Sequence, residues 1–125
     1  MALSVDLGSA TLEAQSCYSL GNTYALLRNH SLALEFHSRH LAIAQQLKDK
    51  IGESRAYWSI GNAHSSLGDH VTALKFAKLH LAVATEIGDT KSKAVAELNL
   101  RDLQKVVDDR TGKSTFLVGD WQVKS

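Results

Sequence analysis

An all-α solenoid of antiparallel helix pairs, about two and a half repeats in five helices, is the fold this sequence predicts. Three observations predict it. The stretch from Glu13 to Ser92 is one unit written twice: Glu13, Ser19, Gly21 and Asn22 fall on Glu53, Ser59, Gly61 and Asn62. At the same offset Leu27, His30, Ala33, Leu34, Phe36, His40-Leu41-Ala42, Ala44 and Asp49 meet identical residues in the second copy. That makes about 14 identities in 40, where unrelated segments would share roughly three. Apolar residues inside each unit recur at helical spacing. Proline is absent, which removes the strongest helix breaker and leaves Gly, Asn and Asp to make the turns.

Residues 1–10 carry little pattern and are expected to lead in as an arm, with the repeat domain occupying 11–107. The first helix is read from Leu12, Cys17, Leu20, Tyr24 and Leu27. Arg28-Asn29-His30 interrupts it, and Ser31 is the expected N-cap of a second helix carrying Leu34, Leu41, Ile43 and Leu47. The second unit, 53–92, repeats this plan with Trp58, Ile60 and Leu67, a Gly68-Asp69 turn, and then Leu74, Leu81, Val83 and Ile87. Gly88 stands where a helix C-cap is wanted. A fifth helix, about Lys91 to Val107, matches only the first half of a unit: Ala96 lies on Ala56, Leu98 on Trp58, Leu100 on Ile60 and Val107 on Leu67. The domain thus divides into repeats 13–52 and 53–92 and a half repeat 93–107. In the tail, 108–125, two short β-prone runs flank Gly119-Asp120. Two readings stand for it: a disordered tail, or Phe116, Leu117 and Trp121 covering the apolar surface that a missing sixth helix leaves open.

Composition narrows the function. The 125 residues are 44% hydrophobic and 22% charged, which suits one folded domain rather than a disordered chain. Fourteen Lys and Arg balance thirteen Asp and Glu, so the net charge of +1 argues against a phosphate-dominated nucleic-acid binder. One cysteine, Cys17, allows no intrachain disulfide and suits a reducing, cytoplasmic setting. The amino terminus does not read as a signal peptide, and no apolar run is long enough for membrane insertion.

The unit has a glycine-centred first helix, Leu20-Gly21 or Ile60-Gly61 followed three residues on by Tyr24 or His64, and a small residue, Ala33 or Ala73, twelve positions after the glycine. It resembles the tetratricopeptide repeat. It departs from the common form in being longer than the usual unit of about 34 residues, in lacking the closing proline, and in placing His40 and His80 where alanine is frequent. The strings EAQSCYSLGNTYALL, HLAIAQQLKDKIGESRAYWSIGNAH and AELNLRDLQKVV resemble the last repeats of the LGN/Pins family of G-protein signalling modulators. That resemblance covers residues 12–107. It implies a non-catalytic scaffold in cell polarity and spindle orientation, cytoplasmic and recruited to the cortex through its partners. It also implies binding of extended, often acidic segments of Inscuteable- or NuMA-like adaptors.

In such a solenoid the first helix of each unit lines a concave groove. Gln15, Tyr18, Asn22 and Ala25 share one stripe at spacings of three and four; Arg55, Trp58, Asn62 and Ser65 repeat it, and Val95, Leu98, Asp102 and Lys105 follow on the fifth helix. The peptide-binding residues expected are therefore Gln15, Tyr18, Asn22, Arg55, Trp58, Asn62, Ser65 and Asp102. Asn22 and Asn62 would offer donor and acceptor to a peptide backbone whatever its sequence, and Arg55 would hold a carboxylate. The alternative is that the asparagines only bond neighbouring helices.

Other chemistries fit less well. His37 and His40 share a helix face, but no Cys or second His pair converges with them, so no metal or other cofactor is expected. A hydrolase built on Cys17 or a histidine lacks a nucleophile–base arrangement, so the chain is not expected to be an enzyme. Gly112-Lys113-Ser114-Thr115 mimics the end of a phosphate loop, but Val107 occupies the position of its first glycine. Leu103-Gln104 with Asp108-Asp109-Arg110 faintly echoes the Gα-binding GoLoco motif but lacks its Gln before the final Arg, so direct Gα binding is not expected. The reading that competes with the peptide scaffold is a structural self-assembly module, in which exposed repeat ends drive homo-oligomerisation.

Overall fold

The computed structural model describes residues 7–111. It consists of five helices: α1 (Leu7–Leu26), α2 (His30–Gln46), α3 (Lys50–Ser66), α4 (His70–Ile87) and α5 (Thr90–Thr111). Each helix packs on the next, giving two antiparallel pairs and an unpaired fifth helix. The proposed hairpin and the apolar residues of the tail lie outside the described residues.

The turns reveal a finer period, half a unit long. Arg28, Lys48, Gly68 and Gly88, evenly spaced along the chain, take left-handed backbone at φ of 65, 58, 86 and 73°. Asn29, Asp49, Asp69 and Asp89 follow them, and the side chain of each accepts a hydrogen bond from the backbone N–H three residues on, at 3.0–3.2 Å. One left-handed residue and one Asx cap therefore end one helix and start the next. Asn29, not Ser31, is the N-cap of α2, because its side chain reaches the Leu32 N–H.

Arg28 and Lys48 adopt a conformation that crowds any Cβ, where the second unit has glycine. Lys48→Gly is expected to stabilise the fold by about 0.5–1 kcal/mol, after allowing for the extra freedom glycine has in the unfolded chain. A thermal melt should show the midpoint rising by roughly 3–6 °C. A lower midpoint would mean that the lysine makes a contact outweighing its backbone strain.

The core is built on small residues. Ala33, Ala44, Ala56, Ala73, Ala84 and Ala96 are all buried, which lets the helix backbones approach closely. Large side chains fill the remaining space in matching pairs: Tyr24 stacks on Phe36 with ring centroids 5.6 Å apart, and His64 stacks on Phe76 at the same separation. A polar chain joins three helices. Gln45 Nε2 donates to the Tyr57 hydroxyl, which donates to the buried Glu53, and Lys50 lies 3.5 Å from Glu53 and 3.8 Å from Glu86.

Three sequence expectations are corrected. α1 starts at Leu7, so residues 7–10 belong to the helix and Ala10 packs with Cys17 and Ile43. The fifth helix runs on to Thr111, past the expected end at Val107. Of the apolar series expected on the first helix only Cys17 is buried; Leu12, Leu20 and, just past the end of α1, Leu27 are 65, 41 and 68% exposed. The second-unit counterpart of Leu20 is Ile60, which is 2% exposed because α3 has α2 packed against it. No described helix precedes α1 to do the same.

Candidate functional site

The odd-numbered helices present their stripe over the even-numbered ones, and two adjoining clefts result. The first, about 200 Å³, lies between α1 and α3 over α2; Tyr18, Asn22, Trp58 and Asn62 stand on its walls, with Ala33 and His37 at its base. The second, about 220 Å³, lies between α3 and α5 over α4 and is lined by Ser54, Arg55, His80, Lys91, Ser92 and Val95. Tyr18 and Trp58 line both clefts, which makes them one track across the helices. Each cleft is smaller than the roughly 300 Å³ at which small-molecule pockets begin. A shallow run of this kind suits an extended chain.

The same construction supports both aromatic walls. The Tyr18 ring lies 5.2 Å from His40, and the Trp58 ring 5.4 Å from His80 at the equivalent position. Tyr18 also meets His37 edge-on at 5.9 Å. All three histidines are buried, and the Nδ1 of each has no hydrogen-bond partner among the described residues. Burial holds each below the ordinary histidine range, His37 at about 4 with a further push from His40. His40 is drawn back by Asp49 and pushed further down by Arg55, and His80 is drawn back by Asp89. The base of the groove is therefore neutral at pH 7. The cations lining the second cleft are Arg55 and Lys91, and among the described residues no Asp or Glu lines either cleft. The track is therefore biased toward an anionic ligand.

Five of the expected site residues come together: Tyr18, Asn22, Arg55, Trp58 and Asn62. Both asparagines are exposed. Gln15 and Asp102 are exposed but line neither cleft. Ser65 sits half-buried with its hydroxyl 3.3 Å from His70 Nδ1, and its neighbour Ser66 lines the first cleft instead. Sequence reasoning missed His30, His37, Ser59 and Lys91. Helix phase would have found Ser59 and Ser66, since a cleft is wider than one stripe. His37 needed knowledge of which second-helix face closes the base.

Among the described residues no group of three His, Cys, Asp or Glu is placed to hold a metal ion, and no helix is long and apolar enough to cross a membrane. Cys17 is buried, with its thiol pKa pushed up chiefly by burial and further by Glu13, which suits packing rather than nucleophilic attack.

Comparison with known proteins agrees with this architecture. The TPR domain of Arabidopsis FLU superposes with a TM-score of 0.65 at 21% identity, covering 86% of this chain and 97% of that one. A likeness at that identity speaks for the fold alone. A search of the curated proteins returned no match. The tetratricopeptide repeat profile matches residues 11–86, well over half the sequence. This fold is a non-catalytic, helical protein-interaction module. With the profile, the superposition and the helix-pair geometry in agreement, the chain belongs to the tetratricopeptide repeat family.

Proposed function

We propose that the groove binds an extended, acidic peptide segment of a protein partner, and that the partner is an adaptor of the polarity and spindle-orientation kind that the LGN/Pins resemblance implies. The observation carrying this reading is that Asn22 and Asn62 line one cleft, which runs through Tyr18 and Trp58 into a second cleft bearing Arg55 and Lys91 without a carboxylate. Amides would pair with the peptide backbone, and the cations with its acidic side chains. Cortical recruitment through such a partner would follow from a cytoplasmic location.

Calorimetric titration of an extended acidic peptide tests the reading. Asn62→Ala and Arg55→Ala should each weaken binding by about 1–3 kcal/mol, while Gln15→Ala, outside both clefts, should leave it unchanged. Unchanged affinity in both groove variants would remove the assignment.

A second reading, self-assembly through a repeat end, draws on the exposed Leu12 and Leu20 of α1 and Leu27 just past its end. Light scattering on the free protein separates the two. A concentration-dependent dimer abolished by Leu20→Ser would favour assembly, and a monomer at all concentrations would remove it.

A further inference from the structure

A second face of α1 lies apart from the groove, and the repeat shows what it lacks. On α3 the positions Gly52, Glu53, Ala56, Ile60 and Ala63 are all buried. The helix α2 packs on that side: a Cβ on Gly52 would stand 3.3 Å from the Ala44 Cβ. The matching positions on α1 are Leu12, Glu13, Ser16, Leu20 and Thr23, and all five are exposed. Tyr18, Asn22 and Ala25, which α1 gives to the groove, lie about half a turn away from this face. An occupant of the face therefore stays clear of the groove.

Two features fit the face to a second copy of itself. Its stripe reads almost alike in both directions: Leu12, Ser16, Leu20, Thr23 and then Leu27, just past the helix end. Two such stripes laid antiparallel about Leu20 set leucine against leucine. They also set Ser16 against the partner's Thr23, where small side chains let the backbones close up. The charges agree with this arrangement. Between Leu7 and Arg28 the charged side chains are Glu13 and Arg28 alone, both exposed and about 22 Å apart along the stripe. Antiparallel pairing brings each Glu13 beside the partner's Arg28, whereas parallel pairing would set like charges together.

We propose that two chains pair about a twofold axis through Leu20, α1 antiparallel to α1, so that Glu13 of each meets Arg28 of the other. The contact is isologous, one patch on both chains; it rests on the self-assembly reading and gives it a definite interface. A single pair of helices about 30 Å long buries less than the roughly 1,200 Å² of a stable interface, so the dimer is a dissociable one. Both grooves stay open in it, and the pair can hold two acidic segments of one partner at once.

Sedimentation velocity over a concentration series tests this on the full chain and on Glu13→Arg and Arg28→Glu, each checked for helix content by circular dichroism. The wild type should dimerise as concentration rises. Either variant alone should associate about tenfold more weakly, because two like-charge contacts replace two unlike ones. An equal mixture of the variants should recover wild-type association, since a mixed pair has unlike charges at both contacts. Variants that dimerise like the wild type would overturn this interface and leave self-assembly through another face standing. Weakened variants that fail to restore each other in the mixture would overturn it too. A wild type that stays monomeric throughout would remove both the interface and the self-assembly reading.

Discussion

Lowering the pH from 7 to 4 is expected to remove a large share of the protein's stability, with the loss beginning near pH 6.5. The cause is the set of buried histidines beneath the groove. His37 is held at about 4 by burial and by His40, against about 6.5 in the unfolded chain. The folded state therefore keeps His37 neutral where the unfolded state would take up a proton. Stability from this group is fully present above about pH 6.5 and falls as the pH drops through that value toward 4. A shift of that size is worth at most about 3 kcal/mol, and solvent reaching the cleft wall trims it to about 2–3. His40 and His80 are lowered by burial too, so their contributions have the same sign.

Geometry gives the same direction. A proton on Nδ1 would place a charged N–H among packed rings with no acceptor among the described residues. The Asp69 and Asp89 caps are lowered below the ordinary carboxylate range by hydrogen bonds to Thr72 and Ser92, so they are lost only at still lower pH. Marginal proteins of this size have roughly 5–15 kcal/mol in hand, so three histidines can consume a large share. Denaturant melts followed by circular dichroism at pH 7.5, 6, 5 and 4 should show the midpoint falling steadily. His37→Ala should flatten the profile. A flat profile in the wild-type protein would show that the histidines reach solvent without unfolding.

The fold was legible because the repeat is written in large letters: 14 matched positions and a helical apolar period place five helices within a few residues. Helix ends were less legible. The Asx caps recur every half unit, at Asn29, Asp49, Asp69 and Asp89, but two of the four left-handed positions before them carry Arg28 and Lys48, and glycine was the signal sought. The groove was legible in Asn22 and Asn62, whose phase on their helices matches. Ser65 and Ser66 could not be told apart, since both lie within one residue of the stripe, and only the turn geometry gives Ser65 to His70. The exposed Leu12 and Leu20 look like core in one dimension, because periodicity records a face and not what covers it.

Identity between units also conceals a difference, and it leads to opposite expected outcomes at matched glycines. Gly21 and Gly61 stand at equivalent positions of the two units. A Cβ on Gly61 would meet Phe76 Cβ at 3.5 Å and the Ala73 carbonyl at 3.6 Å, which is ordinary contact. A Cβ on Gly21 would come within 2.6 Å of the His37 imidazole. That ring is 2% exposed and faces Tyr18 edge-on, so it has little room to swing away. Gly61→Ala should therefore stabilise the protein by up to about 1 kcal/mol through helix propensity. Gly21→Ala should destabilise it by about 1–2 kcal/mol, because overpacking outweighs the same propensity gain. The second unit supplies the rescue: Ala77 stands where the first unit has His37. In a double-mutant cycle, Gly21→Ala combined with His37→Ala should recover most of the loss measured for Gly21→Ala. Additive effects, with no coupling between positions 21 and 37, would mean that the glycine is needed for some other contact. If coupling is found, the histidine that makes the fold acid-sensitive is also the one that requires Gly21 on α1.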